Sequence, residues 1–547
     1  SGSSNITLDD DGAGGGYTNT FGTLVLTGAT VTVYENAALD LGATSAGTLT
    51  VQADTGNITD SNTVTVSGDA SFTTSANDAT IDLGTLAVTG SIALSTAGTT
   101  GDATVVDTGA LDLAASTVNG ALSATASGGE VTDSGTLTVT GTVTIVANGG
   151  ASNITLNDDG VGGFTNQLGT LVLTGDTIAV YENAAIDLGN TTANTDLTVQ
   201  AETGDITDSG EVNVTGNSVF TVNEAGTPDI VLDTPANTFT GTVDFNGANL
   251  TNLTVYDDTA IQLQATTVSA TMQIVSGAAV SQSGIISGTD LIVSTWNDPG
   301  ANITLANGSN DFNTVSLESR NAANGADAAG TIAYTDIDGF DLGAAATSGA
   351  GIRTTDAATL TSAGAITQSG EIIAGGTLSL DAGGTANNIT LTDPGNELNT
   401  VTITNSSAGT VSLYDADTAT DGLAISAVTG ITDLTLEGLG TITVAGPTSA
   451  TGTVTVADSN GASFTGALTA NALAISDSAA GQTVEFQGNL DIATTMTAAA
   501  GTGAYNVSVI GATNDVDGAG TFSHTGTLTL GDGDYTTDSI TFDGGLT

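Results

Sequence analysis

Few side chains in this sequence could carry out chemistry on a substrate. The chain has one histidine, His524, two arginines, Arg320 and Arg353, and no lysine or cysteine, against 59 aspartates and glutamates. A nucleophile needs a base beside it, and a developing negative charge needs a donor or a cation. The two arginines lie outside any recognisable cluster in the sequence, and His524 stands in a strand-and-turn setting, TFSHTGTLTL, that suits a surface histidine. Two carboxylates astride a glycosidic bond would suffice for glycoside hydrolysis, but nothing singles out a pair among the 59 acids. The expectation is a protein that is not an enzyme.

Hard oxygen ligands, by contrast, are plentiful at turns. Asp9, Asp10 and Asp11 before Gly12, Asp158 and Asp159 before Gly160, and the pair Asp257 and Asp258 are the places where calcium would find carboxylates. Their spacing follows neither the EF-hand loop nor the glycine-rich nonapeptide of calcium-loaded β-rolls, and plain solvated turns are the alternative. Calcium is the one cofactor that the sequence raises.

These residues recur with a period. Tyrosines return in the same local setting at Tyr34, Tyr181, Tyr256, Tyr334 and Tyr414, at intervals of 147, 75, 78 and 80 residues. The first interval is double the rest. Its missing member is Val106 in VVDTGALDLA, which matches VYENAALDL around Tyr34 in all but the ring. A second landmark, Ile/Val-Thr/Ser-Asp/Gln-Ser, opens at Ile58, Val131, Ile206, Val280 and Ile366, with a degenerate copy at Ile431. Two independent markers in phase define a tandem repeat of about 75 residues. Residues 1–270 carry the more regular copies and 271–547 the more divergent ones, and the expectation is one continuous array over 1–547. The tyrosines, each after a strand and before a turn, suit a structural stacking ladder better than a ligand-binding track.

The elements that must position these residues are short strands. Runs such as Leu24 to Thr27, Leu137 to Thr140 and Leu171 to Thr174 alternate aliphatic residues with Thr or Ser and then break at glycine, which marks half-buried β-structure. The 74 glycines sit with Asn and Asp in the gaps, and all five prolines fall there too. Tandem β-sandwiches would fit the period, but each needs its own core with aromatic anchors. Aromatics are 4% of the residues, with a single Trp296, so the favoured fold is all-β: a parallel β-helix, or β-solenoid, whose coils of about 18 to 25 residues stack small aliphatic side chains. Such coils, stacked about 4.8 Å apart, would make a rod on the order of 100 to 150 Å long.

A net charge of -57 repels nucleic acid and anionic membranes, and no apolar run is long enough to span a bilayer. Yet 39% of the residues are hydrophobic and the acids are scattered singly, so the chain should fold, most easily where salt screens the charge. A saline exterior fits, and the absence of cysteine removes disulfides and thiolate metal sites. The recurring NIT at Asn5, Asn57, Asn153, Asn302 and Asn388 matches the N-glycosylation acceptor, though hydrogen bonding along a stack explains it more simply. A regular threonine face of the ice-binding kind is not expected, because threonine is spread through every strand. Both ends read as ordinary array sequence, so either more chain follows or subunits stack end to end.

The runs ITDSGEVNVTGNSVF at Ile206 to Phe220 and VTDSGTLTVTGTVTI at Val131 to Ile145, with NITL followed by a polar turn, give the whole chain a texture that resembles the giant repetitive bacterial surface proteins of the filamentous haemagglutinin type. The resemblance implies a right-handed parallel β-helix exported to the cell exterior, with an adhesive or scaffolding role. The expected function is a structural subunit or segment of an extracellular filament, sheath or fibrous layer that self-associates end to end or laterally. The alternative is a cell-surface adhesin for a host, a neighbouring cell or a polysaccharide, with the stretch from Arg320 to Ala350 as the one irregular insert.

Overall fold

In the computed structural model the chain is an all-β solenoid in which every strand-to-strand ladder is parallel. The structure describes all residues except 1–3, 10–17, 158–164, 344–349, 385, 405–408, 418–421 and 534–537. The fold comprises about 24 turns, and the chain forms two compact units, Ser1–Ser269 and Ala270–Thr547. The one helical element among the described residues is a short 3-10 turn at Asn148–Gly150. No helix among them is long and apolar enough to cross a membrane.

One coil of the first unit shows how sequence becomes structure. Leu122–Ala126 forms a five-residue side, and Val131–Asp133 and Leu137–Val139 form the other side as two three-residue strands joined at a bend. In all three, alternate residues are buried, because successive side chains on a strand point to opposite faces. The next coil repeats the path 21 residues later, with Leu122 paired to Val143 and Val131 to Ile154. Stacking in register puts like on like. Leu39, Ile58, Ile81, Ala103, Leu122, Val143, Leu171 and Leu188 form one continuous core column, each member no more than 1% exposed. Each Leu or Ile of such a column contributes about 1.5–3 kcal/mol by burial.

Coil length and repeat length are not commensurate. In the first unit, seven pairing steps lead from the strand of Tyr34, Thr27–Glu35, to the strand of Tyr181, Ile178–Glu182. Seven more, on the other side of the coil, lead from Ala103–Asp107 to Leu253–Asp257. Two repeats therefore take seven coils and one repeat takes three and a half. Equivalent residues of successive repeats fall on alternate sides of the coil. In the second unit Tyr334 and Tyr414 likewise belong to separate columns, headed by Ile332–Asp336 and Val411–Asp415.

Candidate functional site

The tyrosine landmark marks a buried acid. Tyr34, Tyr181, Tyr256 and Tyr414 are half-buried on the outer side of their strands, and the residue after each, Glu35, Glu182, Asp257 or Asp415, points inward with 0 to 3% exposure. Where the ring is missing the acid persists, as Asp107 after Val106. In the fourth-to-fifth interval the strand is set one residue differently: Tyr334 itself is buried, and the inward acid is Asp336, whose Oδ2 accepts from the tyrosine hydroxyl at 2.6 Å. The tyrosines do not stack on one another, since they lie coils apart on alternating sides. The inward acid is the invariant element of all six copies. The sequence held this signal in Asp107, which survives the loss of the ring.

Each acid accepts a backbone N–H from the coil beneath it. Phe21 donates to Glu35 at 2.6 Å, Val88 to Asp107 at 2.8 Å, Leu168 to Glu182 at 3.0 Å, Phe239 to Asp257 at 3.4 Å, Phe312 to Asp336 at 3.1 Å and Leu398 to Asp415 at 3.0 Å. A small residue covers the acid in the coil above: Ala53 over Glu35, Ala126 over Asp107, Ala201 over Glu182, Ser362 over Asp336 and Gly438 over Asp415. Among the described residues, one oxygen of Glu35, Glu182, Asp257 and Asp415 is buried with no hydrogen-bond partner.

The second landmark belongs to the same corner. Its first and third residues point inward and its second and fourth outward. The inward third residue meets a buried asparagine one coil on: Asn166 donates to Asp133 at 2.6 Å, and Asn237 donates to Asp208 at 2.6 Å. In the second unit the partner is glutamine, and the pairing becomes a reciprocal amide pair, Gln282 with Asn310 (2.8 and 2.9 Å) and Gln368 with Asn396 (2.8 and 3.0 Å). Each asparagine also accepts a backbone N–H from the coil below, Leu137, Val212, Ile286 or Ile372. The residue two places after it supplies the N–H that the acid accepts. Asp or Gln, Asn and acid thus form a polar chain three coils deep in an otherwise aliphatic core. Outside, the fourth residue of the landmark clasps an outward aspartate: Ser61 and Thr23 donate to Asp40 at 2.8 and 2.6 Å, and Ser209 and Thr170 to Asp187 at 2.8 and 2.7 Å.

Burial sets the electrostatics of the corner. Loss of water raises the pKa of Glu35, Asp107, Asp257, Asp336 and Asp415 above the ordinary carboxyl range, with the backbone N–H bonds pulling the other way, and it pushes Glu182 up to about 8. Asp208 is also raised by burial, against the pull of Asn237. A single enclosed carboxyl with one donor can hold or release a proton. It has no second carboxylate across a cleft: Glu35 and Glu182 share a side but stand seven coils apart, roughly 33 Å at the spacing of neighbouring strands.

The other residues named by the sequence distribute as follows. Asp10, Asp11, Asp158 and Asp159 lie outside the described residues. Asp9 is exposed, and Asp257 and Asp258 point to opposite sides of their strand, Asp257 inward and Asp258 outward to the Thr238 hydroxyl at 2.8 Å, so the two do not converge on one ion. Among the described residues no group of three or more acids and histidines could hold a metal. The NIT asparagines bind the stack: Asn57, Asn153, Asn302 and Asn388 accept from the backbone N–H of Thr80, Thr177, Thr331 and Thr410 at 2.9 to 3.3 Å. His524 packs against Tyr505 with ring centroids 5.3 Å apart. The arginines, far from any cluster in sequence, are brought together in the second unit. Arg320 and Arg353 both bind Asp327, and Arg353 also binds Glu371. Sequence could not show this, because the contact depends on a chain excursion after Arg320 that folds back through Asn321 and Ala328.

No curated protein and no solved structure matches the chain. A family described as repeats of unknown function, DUF5649, matches five consecutive stretches, residues 28–83, 100–175, 174–246, 250–318 and 329–405. These stretches cover more than half of the chain and follow the period of the buried acids, and the protein belongs to this family of tandem repeats.

Proposed function

We propose that this chain is a structural protein of the bacterial exterior, a subunit or segment of a surface filament, sheath or fibrous layer. The observation that carries the reading is the half-coil left over in each repeat. It places the same surface on both sides of the coil in the first unit, so a lateral contact made by one repeat is available on either side, as a layer or bundle needs. The polar side chains of the corner are spent on holding coil to coil, which suits a wall-forming element better than a site that must bind and release substrate. The likeness in texture to filamentous haemagglutinin-type surface proteins points the same way, as does an acidic surface suited to salt water.

The alternative is an adhesin for cells or polysaccharide. One observation favours it: the excursion between Arg320 and Ala328 leaves the coil path and gathers the chain's only two cations. Electron microscopy of the purified protein separates the two readings. Long fibres or sheets with an axial repeat set by the chain support the structural role. Isolated particles of fixed size at every concentration and salt would remove it and favour the adhesin.

A further inference from the structure

We propose that the inward acids make each solenoid unit a proton-dependent fold, in which these carboxyls are protonated in the closed stack and their ionisation at alkaline pH opens the corners they occupy. The geometry carries this. One acid per repeat is sealed in an aliphatic core, receives a backbone N–H from the coil beneath, and is roofed by Ala, Ser or Gly, none of which offers a cation or a second strong donor. An ionised carboxylate needs two or three donors to offset lost hydration. Glu182 has one, from Leu168, and its other oxygen has no partner among the described residues. Protonated, the same group costs far less to bury.

The groups that face these acids do not supply the missing charge. Asp107 lies between Leu86 below and Ala126 above, and the acid of the lower strand, Asp82, is exposed on the outer side. Glu182 lies under Ala201. The nearest titratable groups on the packed coils are Asp133, reached through Asn166, and Glu202, which is engaged by Gln200 and Asn223. Asp415 has the acids Asp417 and Glu397 near it, and both disfavour ionisation further. Asp336 faces Tyr334 and Asp338, and Glu35 lies under Ala53. Both arginines are committed elsewhere, to Asp327 and Glu371.

The sign follows. Each raised acid adds stability that is complete below its unfolded pKa, near 4.5, and lost as pH rises through its folded value, which for Glu182 is about 8. Over that window each such group weakens folding by about tenfold per pH unit. The test is denaturant unfolding of the full chain from pH 5 to pH 9, in high salt so that general charge repulsion is screened. The wild type should lose stability across this range. Glu182→Gln, and separately Asp107→Asn, should each flatten the dependence while folding to the same spectrum at pH 5. Infrared difference spectra, wild type minus Glu182→Gln at pH 6.5, should show the carbonyl band of a protonated carboxyl. The same pH slope in wild type and both variants, or an infrared difference showing only carboxylate, would overturn the proposal. If a variant does not fold at pH 5, the wild-type infrared band, titrated to its disappearance near pH 8, decides alone.

Discussion

Asn237 and Asn396 occupy the same place in two copies of the repeat, yet they face different partners. Asn237 gives its amide hydrogen to Asp208, whereas Asn396 exchanges hydrogen bonds with Gln368. Substitution by aspartate should therefore separate them. Asn237→Asp sets a second buried carboxylate against Asp208 and should cost about 3 kcal/mol at pH 7. Asn396→Asp faces an amide that can donate, and should cost about 1–2 kcal/mol. Lowering the pH to 4 should recover most of the first loss, because the acid pair then retains a proton that the unfolded chain binds less tightly. Equal losses at both sites, read from denaturant midpoints, would mean that the carboxylate of Asp208 does not govern the corner.

The strands and turns carry a different constraint, which is vertical. In the second unit Gly446, Gly466, Gly488 and Gly511 stack at one corner, and a Cβ on any of the upper three would overlap the carbonyl of the glycine beneath. None of the four has a positive φ, so the requirement is space between coils and not backbone conformation. Gly488→Ala must push two coils apart and should cost about 1–3 kcal/mol. Stability in a stacked array is a sum of local and nearest-neighbour contributions, so hydrogen exchange should rise near residues 466–511 and stay unchanged in the first unit. Protection lost evenly along the chain would contradict nearest-neighbour stacking.

Charge acts on the molecule as a whole. With 59 acids and two arginines, and both arginines bound to carboxylates in the second unit, almost the entire negative surface lacks a counter-charge of its own. Self-repulsion disfavours the compact state, and salt screens it: the Debye length is about 30 Å at 0.01 M and about 3 Å at 1 M. The thermal midpoint should rise by several degrees between those two conditions at pH 7. A midpoint that does not move would show that the outward acids are already stabilised locally, as Asp40 is between Thr23 and Ser61.

The period, the strands and the aliphatic interior were legible in the sequence because they are local. Alternation along Leu137 to Thr140 states which residues point inward, and repetition at about 75 residues states that the pattern is copied. The side on which each copy appears was not legible, since it depends on 21-residue coils accumulating to three and a half per repeat. For the same reason the conspicuous tyrosines drew attention while the adjoining acids hold the core. A one-residue step along a strand exchanges inside for outside, and pairing with the coils above and below fixes that step. The link between Asp208 and Asn237, 29 residues apart, and the meeting of Arg320 with Arg353 over Asp327 likewise arise from the stack, which makes neighbours of residues that chain order keeps apart.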